Sequence, residues 1–94
     1  MKLLMRGIDM NIQDLQVKIY QLKQFCEQTK EQLLMGEKNL QDLSKIIIYQ
    51  TGPSRTGQEA AQISNRAAKQ LRDTVQSIIT LEMELNAYIK QITS

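Results

Sequence analysis

The chain has 94 residues, a net charge of +2, one cysteine and no histidine. This length allows one domain, and without histidine the chain cannot carry out Ser-His-Asp or Cys-His catalysis. We therefore expect a protein that is not an enzyme and that uses no cofactor or metal. Acidic and basic residues are interspersed without a basic stripe, so we expect no nucleic-acid partner. No apolar run approaches the ~20 residues of a membrane span, so we expect no membrane-spanning helix.

One apolar stripe runs through the first half of the chain. Its members alternate at spacings of four and three, and only a threonine and a glycine interrupt it: Ile8, Ile12, Leu15, Ile19, Leu22, Cys26, Thr29, Leu33, Gly36, Leu40, Leu43 and Ile47. A residue every 3.5 positions forms one line along a helix, which another helix must cover. The pattern predicts a first helix over about residues 10–50, with Asn11 as its N-cap. Within it, Cys26 is predicted to be a buried structural residue, and Gly36 to mark a close helix approach.

A strong stop signal follows the first helix. Gly52 stands where glycine commonly ends a helix, and Pro53 comes directly after it. Thr56 and Glu59 then have the spacing of a capping box. The sequence therefore predicts a loop over residues 51–56 and a second helix over about residues 57–92.

Two long helices joined by so short a loop must fold back on each other. The predicted fold is all-α: a single coiled-coil-like hairpin of two antiparallel helices over residues 1–94. The seam of the second helix is predicted to be Ala61, Ser64, Ala68, Leu71, Val75, Ile78, Glu82, Leu85, Ile89 and Ile92. Small residues dominate near the loop, which predicts that the two backbones come close there.

The apolar surface exceeds what one hairpin can cover. Most positions just before one set of seam residues in the second helix are also apolar: Ala60, Ala67, Thr74, Leu81 and Tyr88. The excess predicts half of a four-helix bundle, completed by a second copy or by a different helical partner. We expect the partner to dock mainly on the half away from the loop. The interface is predicted to contain Phe25, Val17, Leu34, Ile46, Ile79, Leu81 and Tyr88.

Glu82 is the one charged residue at a seam position. One interpretation is that its side chain leans outward to a lysine such as Lys23. The other is a buried polar contact that fixes the register of the helices or the choice of partner, which is a known use of such groups.

The loop and the helix after it resemble those of a known family. The loop motif Tyr49-Gln50-Thr51-Gly52 and the following Gly57-Gln58-Glu59-Ala60-Ala61 are similar to the Esx-type small secretion proteins of type VII systems, whose loop motif is Trp-x-Gly. The chain is more similar still to the small helical partners of LXG-domain toxins. The family's export signal is an aromatic residue followed four residues later by an acid, whereas Tyr88 is followed by Ile92.

The resemblance implies a targeting factor or chaperone that binds a helical segment of a secreted toxin or another small helical protein. The missing export signal implies that such a protein travels with, or serves, a partner that carries one. The apolar stretch within residues 1–6 is too short for a secretory signal peptide, so we expect a cytoplasmic protein, exported if at all by a route other than Sec. A structural coiled-coil subunit of a phage or cytoskeletal assembly, or a needle-type filament subunit, is the alternative.

Overall fold

The computed structural model describes residues 11–93, which form a helical hairpin. Helix α1 spans Ile12–Thr51 and helix α2 spans Arg55–Thr93, joined by three residues. The helices run antiparallel in an elongated body of 69 × 21 × 17 Å. The predicted all-α hairpin is therefore confirmed. Ile8, the first member of the predicted stripe, lies outside the described residues.

The helix ends agree only partly with the sequence signals. The Asn11 side chain accepts a hydrogen bond from the Asp14 backbone N–H at 2.8 Å, as predicted for an N-cap. Gly52 has φ 61°, which favours glycine, and its N–H donates to the Ile48 carbonyl at 2.9 Å. The predicted capping box is wrong because α2 begins earlier, so that Thr56 already lies inside it. Ser54 takes the capping role by accepting a hydrogen bond from the Gly57 N–H at 3.2 Å.

The two helices approach closely next to the turn. A Cβ atom added to Gly57 would lie 1.9 Å from Thr51 Oγ1, so only glycine fits there without moving the helices apart. Farther along α2, Ala61, Ser64 and Ala68 are all buried. The Ser64 hydroxyl donates to the Leu40 backbone carbonyl of α1 at 2.6 Å. Small residues thus hold the backbones together at this end, as the sequence predicted.

The seam of α2 follows the predicted spacing along its whole length. Its members are buried as far as Val75, apart from the half-buried Leu71, and beyond Val75 they are only half-buried: Ile78, Glu82, Leu85, Ile89 and Ile92. The hairpin therefore buries its seam well near the turn and less completely at its open end, away from the turn. This gradient fits the expectation that the open half has apolar surface to spare.

The seam of α1 differs from the prediction by a rotation of the helix. Ile19 and Cys26 are buried as predicted, but the neighbouring line facing α2 consists of Lys23, Lys30, Glu37 and Ser44. The predicted seam members Ile12, Leu22 and Leu43 are instead exposed. The assignment of Leu22 and Leu43 to the seam is wrong because the polar residues that directly follow them, Lys23 and Ser44, face α2 in their place. Ile12 lies on the same line as the buried Ile19 and Cys26 and is exposed at the open end of the hairpin.

Candidate partner-binding face

Cross-helix polar contacts close one edge of the hairpin. Lys23 Nζ donates to Asn86 Oδ1 at 2.6 Å. Farther toward the turn, Arg72 Nε donates to Glu37 Oε2 at 2.6 Å, and Arg72 Nη2 contacts the same oxygen. Glu37 is buried, so its charge depends on this arginine for compensation. These contacts fix the rotation of α1 and place polar side chains along this edge.

Glu82 belongs to the same edge. Its Oε1 lies 2.6 Å from Lys30 Nζ, and the two side chains are only 14% and 17% exposed. Glu82 therefore stays within the seam and pairs with Lys30, not with Lys23. Lys30 Nζ also lies 2.8 Å from Glu27 Oε1. The geometry matches a buried polar contact, and the role of Glu82 in register or partner choice stays a prediction.

Lys30 and Glu27 each shift the pKa of the other. Hydrogen bonds to Glu27 and then Glu82 raise the pKa of Lys30. The hydrogen bond from Lys30 is the main cause that lowers the pKa of Glu27. Both shifts favour the charged forms, so the Lys30–Glu27 pair contributes most where both groups are ionised.

The opposite edge of the hairpin carries an apolar surface. Seven residues make two turns, so residues seven apart share one side of a helix. The sides away from the polar contacts form four such strips, which start at Leu15, Lys18, Ala60 and Ile63. Each strip consists of every seventh residue from its start to the end of its helix, and we call these four strips together the front face. The four strips that start at Val17, Tyr20, Gln58 and Gln62 form the back face. The large apolar residues of the front face are Leu15, Leu22, Phe25, Leu43, Ile46, Ile63, Leu81 and Tyr88.

Charge separates the two faces more sharply than apolar content does. The front face carries two charged residues, Lys18 and Glu84. The back face has the same number of positions but carries seven charged residues: Glu27, Glu31, Lys38, Lys45, Lys69, Arg72 and Lys90. Since depletion of charge characterises the centre of protein interfaces, the front face is the better candidate for binding another protein.

The structure divides the predicted interface between these faces. All seven predicted residues are exposed. Four of them lie together on the front face: Phe25, Ile46, Leu81 and Tyr88. The other three lie on the back face: Val17, Leu34 and Ile79. Ile79 stands midway between the contact-making Arg72 and Asn86 at seven-residue spacing, which places it beside the polar edge.

Sequence reasoning missed front-face residues that it had assigned to the seam. Leu22 is 52% exposed and Leu43 is 44% exposed, although both follow the apolar stripe. Ile63 is exposed as well. A signal was present in the regular spacing of Lys23, Lys30, Glu37 and Ser44, which form a second line with the same period. When a polar line and an apolar line lie side by side on a helix, the one that faces the seam can be chosen only when the cross-helix partners are known.

The predicted loop motif does not form one structural unit. Tyr49 lies in the last turn of α1 and is exposed, whereas Gly52 caps that helix. Only residues 52–54 connect the two helices. The predicted Tyr49–Gly52 motif therefore contributes a surface aromatic and a helix end.

Among residues 11–93, no group of three or more histidine, cysteine, aspartate or glutamate side chains is placed to hold a metal ion. Neither α1 nor α2 has a stretch apolar enough to cross a membrane. The chain matches no protein-family model, and no curated protein or solved structure is significantly similar to it.

Proposed function

We propose that this protein is a non-enzymatic helical partner, which binds a helical segment of another protein on its front face. The complex would be a four-helix bundle or its equivalent, in which the partner's helices cover the apolar residues of α1 and α2 together. Recognition of this kind uses an amphipathic helix laid on an apolar groove.

The observation that carries the proposal is the rotation of α1. A hairpin built to be stable alone would bury Leu22 and Leu43 in its seam, because each buried leucine contributes about 1.5–3 kcal/mol. Here Lys23 and Ser44 face the seam instead, and the two leucines point outward. Polar side chains thus hold the hairpin together on one edge, and the leucines remain available for another protein.

The proposed biological setting is Esx-type secretion, with the protein acting as targeting factor or chaperone for a secreted substrate. Its support is the resemblance in length, hairpin architecture and the Tyr49–Gly52 and Gly57–Ala61 segments. The substrate is proposed to be a protein with its own helical segment, as in the LXG-domain toxins whose partners the chain resembles.

Capture from native cells tests this function with a matched pair of variants. Leu22 and Leu34 are 52% and 48% exposed, on the front and back faces respectively. We expect wild-type protein and Leu34→Asp to co-purify the same helical protein, and Leu22→Asp to lose it. Mass spectrometry identifies the captured protein. Equal capture by both variants would contradict the front face as the binding surface, and capture of no secreted protein would contradict the secretion role.

A further inference from the structure

We propose that a second copy of this chain covers the front face when no partner is bound, with the two hairpins antiparallel. The second copy and the partner of the proposed function use the same surface. The second copy occupies the front face until a partner helix displaces it. It rests on the order of large and small residues along α2 and of apolar and polar residues along α1, both of which match themselves when the face is reversed.

The complementarity in α2 centres on Thr74. The front-face strip through this residue contains Ala60, Ala67, Thr74, Leu81 and Tyr88. Reversing the strip about Thr74 places Leu81 opposite Ala67 of the second copy and Tyr88 opposite Ala60 of the second copy. Each large side chain therefore meets a small one, which keeps the separation of the helices even. Thr74 meets Thr74 of the second copy at the centre.

The same reversal matches the front face of α1. About a centre at position 34, Phe25 lies opposite Leu43 of the second copy, and Leu22 lies opposite Ile46 of the second copy. The middle of the face is polar or small, so Thr29 lies opposite Asn39 of the second copy. Apolar side chains thus meet apolar ones, and polar side chains meet polar ones.

The fold brings the two centres, position 34 of α1 and Thr74 of α2, to one level of the hairpin. Gly36 lies beside Leu71, and Thr51 beside Gly57, so residue numbers at the same level add to about 107 or 108. Position 34 of α1 is therefore level with Thr74. One two-fold axis that crosses the hairpin at this level generates both sets of pairs. The agreement in level between the two centres favours a second copy of the chain as the occupant of the front face.

Charge and area agree with this arrangement. Lys18 would lie opposite Gln50 of the second copy, and Glu84 would lie nearly level with Ile63 of the second copy, so no like charges meet. A face nearly as long as the 69 × 21 × 17 Å body buries on the order of 1,000 Å² per copy, above the ~800 Å² of a standard interface. A dimer with both turns at the same end would instead place α2 of one copy against α1 of the other, so that Leu81 and Tyr88 meet the large side chains of Phe25 and Leu22 at the open end.

The first test measures the mass of the purified wild-type chain over a hundredfold concentration range by sedimentation equilibrium. We expect a dimer of the 10.8 kDa chain that dissociates on dilution. Leu81→Asp should weaken dimerisation on the order of a hundredfold or more, because each dimer contains the affected pair twice. Met83→Asp is the control, since Met83 is exposed on the back face. A monomer at every concentration would overturn the inference.

The second test determines the orientation by disulfide formation in a Cys26→Ala background. Thr74→Cys should cross-link to itself faster than Thr80→Cys, an exposed threonine outside the front face. Leu81→Cys and Ala67→Cys should cross-link when the two proteins are mixed, and neither should do so alone. A dimer in which Thr74→Cys reacts no faster than Thr80→Cys would overturn the antiparallel arrangement. Loss of the cellular partner in Leu22→Asp, together with a monomeric wild-type chain, would refute the second copy and leave the proposed function standing.

Discussion

The close approach at the turn predicts that Gly57→Ala destabilises the hairpin. The new Cβ would lie 1.9 Å from Thr51 Oγ1 and 2.4 Å from Thr51 Cβ. Rotation of the threonine side chain cannot relieve the second contact because Cβ is fixed to the backbone. Overpacking of this kind costs about 1–3 kcal/mol, whereas alanine gains up to ~1 kcal/mol in helix propensity. Two severe contacts put the cost at the upper end of that range, so we expect a net loss of about 2 kcal/mol in the free energy of unfolding.

Gly36→Ala is the matched control for this prediction. Its new Cβ would lie 3.0 Å from Leu71 Cδ1, the end of a side chain that can move. Helix propensity then dominates, and we expect stability to stay the same or rise by up to ~1 kcal/mol. Urea unfolding followed by far-ultraviolet circular dichroism, at a single low protein concentration, measures both variants.

A double-mutant cycle shows whether Thr51 is the cause. In a Thr51→Gly background the cost of Gly57→Ala should disappear, leaving stability the same or higher by up to ~1 kcal/mol, because the clashing atoms are gone and only helix propensity remains. The reasoning is refuted if Gly57→Ala and Gly36→Ala have equal effects, or if the Thr51→Gly background leaves the cost unchanged.

Three further predictions concern the seam, the helix cap and the pH dependence. Val75→Ala should cost about 1–2 kcal/mol because Val75 is buried. Val17→Ala should change stability by under ~0.5 kcal/mol because Val17 is 55% exposed. Urea unfolding compares the two variants, and equal costs would contradict the assignment of Val75 to the seam. Ser54→Ala should cost ~1 kcal/mol through loss of the cap, and Thr56→Ala should be nearly neutral; the reverse order in thermal unfolding would favour Thr56 as the cap. The lowered pKa of Glu27 gives a stabilisation that is present above its ordinary value of 4.5 and is lost as the pH falls through the folded-state value. The stability difference between wild type and Glu27→Gln should therefore shrink on acidification, and a difference that does not change with pH would contradict the ion pair.

The sequence predicted α2 better than α1 for a physical reason. Every seam position of α2 except Ser64 and Glu82 is apolar, so a single line of burial was visible without knowledge of α1. In α1 two lines compete, and the apolar line containing Leu22 is the more obvious. The polar line faces α2 because Lys23 and Lys30 have partners more than fifty residues away in sequence. Such pairs become visible only when the register of the hairpin is known.

The sequence predicts which types of residue form the front face but not which particular residues belong to it. The excess of apolar residues predicts a partner, and the predicted interface shares Phe25, Ile46, Leu81 and Tyr88 with the front face. Whether Leu34 shares a face with them depends on the rotation of α1, which the sequence alone left undetermined. The helix cap shows the same limit: Ser54 and Thr56 are both good capping residues, and the geometry of the turn selects Ser54.

The most direct test of the front face is the protection of single cysteines from a thiol-reactive label. Leu22→Cys and Leu34→Cys, each in a Cys26→Ala background, report on the front and back faces at positions of similar exposure. In dilute isolated protein both should react at similar rates. In the complex with the captured partner, or at concentrations that favour the dimer, we expect the label at position 22 to be slowed at least tenfold and the label at position 34 to react as before. Protection of position 34 with position 22 still reactive would contradict the assignment of the front face.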